Sequence, residues 1–326
     1  MKTIFVTGGS GFIGSHVVNQ LISIGHKVIV FDSFTHYAFP ISPQIFDNFA
    51  NRFRNIQDKL QIVRSSTEYY EYLRKSVHNY RPDIIIHLAS MPLANMAIEH
   101  PDEAVLSIMN GTVNVLKSAA DAKCVQRIVY ISSSMVYGNF SQDPISEEHT
   151  KNPTEIYGSL KLSGELIVKS FCGLNNIEYT IVRPSAVYGP TDNNKRVLEI
   201  FLRNALDGKP LVVKGADRFL DFTYVEDTAA GIVLAALKEK GANNIFNITR
   251  GQKRSIIEAA TIIKELVPQT IIEVTAPESW SPARGTLDIS KARELLGYNP
   301  TIDLEKGLEL YLGYLKEQKE RCKDRI

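Results

Sequence analysis

Apolar residues fall into two alternating periods along this chain. Short β-branched runs recur at residues 2–6, 27–31, 60–64, 84–89, 127–131 and 179–182. Between them lie stretches with helical spacing. The first places Val17, Val18, Leu21 and Ile22 on one stripe. Further helices are expected over about 69–78, 101–122 and 154–172. The run Ile84-Ile85-Ile86-His87-Leu88-Ala89 is apolar along its length, as in the middle of a parallel sheet. Strand and helix in alternation predict an α/β fold with a doubly wound parallel sheet, whose ligands sit at the C-terminal strand ends. His87, inside an apolar strand, is expected to be a satisfied core histidine.

The pattern interrupts itself twice. Residues 33–59 form an insertion in which Phe46, Phe49 and Phe53 recur at helical spacing. That predicts a helix packing its aromatic face on the body, with a lid over the ligand site as the alternative. From Arg183 the chain leaves the sheet through a turn-rich passage, Arg183-Pro184-Ser185-Ala186-Val187-Tyr188-Gly189-Pro190. Residues 196–240 then hold helices around a short β stretch, and 245–248 read as a returning strand. The expected division is a first domain of 1–184 plus about 220–250. A smaller mixed α/β lobe takes about 185–219 and 251–315, and a charged helical tail takes 316–326.

Composition narrows the function classes. The chain has 326 residues, 44% hydrophobic and 22% charged, with a formal net charge of +1. There is no basic block, so nucleic acid and anionic membrane surfaces are not expected partners. No apolar run reaches spanning length, and the first residues read as a strand and not as a signal peptide. Cys124, Cys172 and Cys322 are odd in number and widely spaced, without a C-x-x-C pair. They fit a reducing cytoplasm and no metal site.

The chemistry begins with the first strand. Gly8, Gly11 and Gly14 follow it in G-x-x-G-x-x-G spacing and open the first helix. Gly8 permits the tight exit, Gly11 a close approach to a pyrophosphate, and Gly14 tight helix packing. The helix N-terminus offers free N–H groups and a positive dipole end. Asp32 ends the second strand, placed to hold both ribose hydroxyls of an adenosine. Strand, glycines, helix, strand and acid in register mark a Rossmann-type dinucleotide site. No Arg or Lys occurs in Ser33-Phe34-Thr35-His36, which favours NAD over NADP. Farther on, Ser132-Ser133-Ser134 ends the strand at 127–131, and Tyr157 and Lys161 share a helix face four residues apart. An ammonium near a phenol is expected to lower the tyrosine pKa towards neutrality. Such a group suits removal of a hydroxyl proton while hydride leaves the same carbon.

Several motifs now converge: Thr7-Gly8-Gly9-Ser10-Gly11-Phe12-Ile13-Gly14, Ile86-His87-Leu88-Ala89, Ser132-Ser133-Ser134-Met135-Val136-Tyr137-Gly138, Tyr157-Gly158-Ser159-Leu160-Lys161, Arg183-Pro184 with Val187-Tyr188-Gly189-Pro190, and Asp221-Phe222-Thr223-Tyr224-Val225-Glu226-Asp227. In these the chain resembles an extended short-chain dehydrogenase/reductase of the NAD-dependent nucleotide-sugar epimerase/dehydratase family. The resemblance implies Ser133, Tyr157 and Lys161 as the catalytic set. It implies cofactor contacts from Phe12, Ile13, Ser33, Leu88, Ala89, Ser90 and Pro184, and from Asn110 near the nicotinamide. Ser66 replaces the family's usual acid beside the adenine, leaving the Thr67 backbone for that contact. On the substrate side it implies Ser134, Met135, Arg196, Arg284 and Arg218. Leu220 stands where an Arg is common, and Arg218 is two residues away. Ala186 replaces a common Asn. Dehydratases carry Asp and Glu after the catalytic Ser, whereas Ser134 and Met135 follow here, and methionine moves no proton.

The resemblance thus implies a 4-epimerase acting through a transient 4-keto sugar, on a UDP-sugar that includes uronates such as UDP-glucuronate or UDP-galacturonate. The alternatives are an NAD-linked nucleotide-sugar dehydrogenase or keto-sugar reductase and, from another class, a non-catalytic dinucleotide sensor. The helices at about 101–122 and 154–172 resemble those that pair in the family's homodimers.

Overall fold

The computed structural model describes residues 1–35, 44–277 and 282–323. The first half alternates β1 (Thr3–Thr7), α1 (Phe12–Ser23), β2 (Lys27–Asp32), α2 (Gln44–Phe53), β3 (Gln61–Arg64), α3 (Tyr70–Tyr80), β4 (Ile84–His87), α4 (Ala94–Glu99), α5 (Pro101–Ala104), α6 (Gly111–Ala122), β5 (Arg127–Ile131), α7 (Ile156–Leu174) and β6 (Glu178–Pro184). The second half adds β7 (Val187–Tyr188), α8 (Val197–Leu206), β8 (Leu211–Lys214), β9 (Phe219–Leu220), β10 (Thr223–Tyr224), α9 (Val225–Leu237), β11 (Asn244–Ile248), β12 (Arg254–Ser255), α10 (Ile256–Leu266), β13 (Ile272–Thr275), α11 (Ser290–Leu296) and α12 (Leu304–Lys323).

Seven strands form one parallel sheet in the order β11-β6-β5-β4-β1-β2-β3. The order reverses between β4 and β1, so a crevice opens above their C-terminal ends. Helices cover both faces. On one side α1 and α9 bury Val17, Val18, Leu21 and Ile232 against Val6, Val30 and Ile86. On the other, α3, α6 and α7 bury Leu73, Leu116 and Val168 against Phe5, Ile29 and Ile85. A separate smaller core joins Tyr188, Phe201, Leu211, Tyr224, Ile263 and Leu308 from α8, α10, α12 and the short strands.

One local feature differs from the periodic reading and another follows it. The stretch at 101–122 is one rod interrupted by a π-helical turn at Val105–Asn110, and α4 precedes it. In the insertion, α2 packs Phe53 fully into the core, and Phe49 stacks edge-on between Phe34 and Phe53 at 5.1 and 5.6 Å. The side chain of Phe46 and residues 324–326 of the tail lie outside the described residues.

Candidate functional site

One cavity of about 1090 Å³ runs along the C-terminal edge of the sheet. Its wall begins at the glycine turn. Gly8 has φ +69°, and a Cβ there would come within 2.6 Å of the Ala89 backbone nitrogen. At Gly14 a Cβ would lie 2.1 Å from the Gly8 carbonyl oxygen. Only a chain without side chains at both positions makes this turn. Gly11 caps α1 with no side-chain bond, so the first N–H groups of the helix are left for a ligand. Ser10 Oγ is buried beside them without a partner among the described residues. An uncapped helix start, a turn wound too tightly for a Cβ and an orphaned hydroxyl fit a pyrophosphate.

Asp32 stands at the end of β2, its carboxylate accepting from Ser10 N at 2.8 Å and Phe34 N at 2.7 Å. Those bonds aim it into the cavity, where Ser33, Ser66 and Thr67 join it. Arg64, register partner of Asp32 on β3, also lines this end. The local stretch after Asp32 lacks a cation, but the neighbouring strand brings one. Phe12, Ile13, Leu88, Ala89, Ser90 and Pro184 line the wall as well.

Asn110 does not. It is exposed at the end of the π turn and absent from the cavity wall. Ser107, buried three residues earlier, faces the cavity instead. The π turn shifts the phase of the rod, which a 3.6-residue period cannot anticipate.

The other end of the cavity holds Tyr157 and Lys161, on the first turns of α7. Glu155 caps that helix. Its carboxylate accepts from Tyr157 N at 2.6 Å and Gly158 N at 2.7 Å, fixing where the helix and its tyrosine begin. The Ser133 hydroxyl accepts from Met135 N at 3.1 Å and lies close enough to Tyr157 to favour its charged form. The Lys161 ammonium donates to the Ile131 carbonyl at 2.8 Å and sits 5.7 Å from the Tyr157 ring centre. Beneath them Glu165 holds Arg183 through two bonds of 2.8 and 2.6 Å and accepts from Ser132 at 2.5 Å, all buried.

The electrostatics correct one expectation. Burial pushes the Tyr157 phenol up to about 12, with Glu155 adding to the rise and Arg196 and Ser133 opposing it. It is not lowered towards neutrality by Lys161. Burial drives Lys161 itself down to about 7, only partly offset by Glu165. Taking both groups out of water penalises both charged forms, and that outweighs their proximity. His87 is a core histidine, as its surroundings predict. It lies between the Thr7 and Thr112 hydroxyls at 2.7 and 3.1 Å, and burial lowers it to about 3.

The arginines separate. Arg196 lines the cavity and is held by both Asp192 carboxylate oxygens at 2.9 and 3.0 Å. Arg284 is half-buried near Glu155, and its Nε has no partner among the described residues. Burial lowers it to about 10. Arg218 stays half-exposed on the β8–β9 turn and off the cavity wall. Ser134 and Met135 are buried in the short helical turn that Ser133 caps, and none of the three is on the wall, where Ser132 stands instead. Among the residues at the site that escaped the sequence reading are Arg52, Arg64, Ser107, Glu155, Glu165, Asn193 and Asn194. Of these, only Glu155 carried a local signal, an acid just before a helical run.

Among the described residues no helix is long and apolar enough to cross a membrane, and no cluster of ligand side chains could hold a metal ion.

Comparison with known proteins places this geometry. A Methanocaldococcus jannaschii protein, whose name proposes a UDP-glucose 4-epimerase, is 31% identical over 322 residues, which are 96% of this chain and 98% of that one. UDP-glucuronic acid decarboxylase 1 of Xenopus tropicalis is 30% identical over an alignment of 331 positions that covers 98% of this chain and 73% of that one. The crystal structure of the Bacillus cereus UDP-glucuronic acid 4-epimerase, in complex with UDP-glucuronic acid and NAD, superposes with a TM-score of 0.88 at 27% identity. That match covers 97% of this chain and 99% of the other. The model of the NAD dependent epimerase/dehydratase family matches residues 4–249. With its cofactor cradle, its Ser133–Tyr157–Lys161 group and a family match across both, the chain belongs to the NAD dependent epimerase/dehydratase family.

Proposed function

We propose that the chain is a nucleotide-sugar 4-epimerase acting on a UDP-linked sugar. One observation carries the reading. A single cavity joins the glycine turn and Asp32 at one end to Tyr157 and Lys161 at the other, with Ser133 beside the phenol. When bound, NAD+ supplies the hydride acceptor at C4, and its cationic ring lowers the phenol that burial has raised. Gly8, Gly11, Gly14 and Ser10 would hold its pyrophosphate, and Asp32 its adenosine ribose. Tyr157 takes the proton of the sugar 4-hydroxyl, with Ser133 bridging phenol and sugar oxygen. Loss of that proton with hydride leaves a 4-keto sugar. The sugar turns over and regains hydride on its other face, and Tyr157 returns the proton to O4. No net electron is lost, so the cofactor stays.

Arg196, on the cavity wall and acting on Tyr157, supplies the cation that an anionic sugar or diphosphate needs. This favours a UDP-uronate within the class. Met135, placed after Ser133 and Ser134, offers no acid or base for elimination. The smaller lobe, with Arg284 at its junction, would hold the nucleotide. Val105, Leu106, Val113 and Leu166 are exposed on the α5–α6 rod and α7, which pack side by side. Burial of that face in a homodimer fits them, and Cys124 and Cys172, both free, fit a cytoplasmic enzyme.

The test uses UDP-, GDP-, CDP- and dTDP-linked sugars, uronates included, with no added NAD. NMR should show an inverted C4 centre for a UDP-sugar. A pentose product, a lasting keto sugar or no conversion of any sugar would overturn the assignment.

A further inference from the structure

Arg52 belongs to none of the groups above, yet it touches both halves of the site. It comes from α2, in the insertion after Asp32. One terminal nitrogen donates to the Ser10 carbonyl at 2.7 Å and the other to the Thr191 carbonyl at 2.6 Å. Ser10 lies in the glycine turn. Thr191 begins a loop that carries Asn193, Asn194 and Arg196 to the cavity wall. The third donor, Nε, is buried without a partner among the described residues, and Arg52 itself lines the cavity.

The loop at 189–196 needs an external tie. Thr191 and Lys195 both adopt left-handed backbone, at φ 70° and 51°, and Gly189 sits at φ 147°. Such residues persist only where their surroundings over-determine them. Next to Thr191, Asp192 grips Arg196, and Arg196 lies over the Phe12 ring at 5.8 Å and acts on Tyr157. A chain of contacts therefore runs from the cofactor turn through Arg52 and the loop to the reactive phenol.

We propose that Arg52 is a positioning residue that ties retention of the dinucleotide to placement of the 189–196 loop, with its buried third donor left for an acceptor on the dinucleotide. The inference rests on the reading that the cavity takes NAD. Two carbonyls on separate elements need the fork of a guanidinium; a lysine reaches one of them. Hydrogen bonds from a charged donor are strong enough for loss of one to be seen as about a tenfold change.

The experiment compares the parent protein with Arg52→Met, which keeps the apolar stem, and with Arg52→Lys. Bound NAD per chain is measured after denaturation, and its release is followed during dialysis. Tryptic cleavage after Lys195 and Arg196 is timed by mass spectrometry. Arg52→Met should release NAD and be cut in the loop at least about tenfold faster, and should raise KM for the nucleotide sugar more than it lowers kcat. Arg52→Lys should fall between. If Arg52→Met fails to melt cooperatively, Arg52→Lys is judged alone by NAD release and loop cleavage. Release and cleavage within twofold of the parent overturn the inference. A parent that neither carries nor takes up NAD overturns the reading of the cavity, and the inference with it.

Discussion

The two ends of the cavity are built from different materials. The cofactor end is made of backbone: a glycine turn, an uncapped helix start and one carboxylate held by two N–H groups. The reactive end is made of buried ionisable side chains, Tyr157, Lys161, Glu165 and Arg183. A backbone site tolerates little change of shape and buries few charges. A site of buried charges is costly to form and holds only while each group keeps its partner. The first kind binds a large, constant ligand. The second kind shifts proton affinities, as the movement of Lys161 to about 7 shows.

The largest expected effect lies beneath the reactive end. Glu165→Gln leaves the Arg183 guanidinium buried and unpaired, which should cost roughly 3–5 kcal/mol of stability in chemical denaturation. A loss below about 1 kcal/mol would show that this end does not depend on paired charge. Next comes Tyr157→Phe, which should keep the fold and bound NAD but lower turnover at least ~10²-fold. Near-normal turnover would remove the phenol from the chemistry. The smallest effect belongs to the backbone end. Asp32→Ala removes the repulsion of a 2′-phosphate while Arg64 stays on the adjoining strand, so the NADP-to-NAD ratio of kcat/KM should rise about tenfold. No change would show that the turn alone selects the dinucleotide.

Legibility in the sequence followed the same division. Gly8, Gly11, Gly14 and Asp32 lie within one β-α-β unit, so their spacing along the chain is nearly their spacing in space. Tyr157 and Lys161 were legible for the same reason, being one helical turn apart. The sheet itself could be read from runs such as Ile84-Ile85-Ile86. Arg52 could not, because its partners are 42 and 139 residues away. Asn110, expected near the nicotinamide from the resemblance alone, lies in a π turn that leaves it exposed and off the cavity wall. The Tyr157–Lys161 proximity was visible, but the burial that reverses its effect comes from the folded chain around them and not from their own helix.

The π turn at Val105–Asn110 has a wider meaning. One surplus residue rotates everything beyond it by about 100° around the axis. The rod is thus two gears on one shaft: Ser107 is set towards the ligand, while Val115, Leu116 and Ala119 are set independently towards the sheet. Selection can retune the first gear without disturbing the teeth of the second.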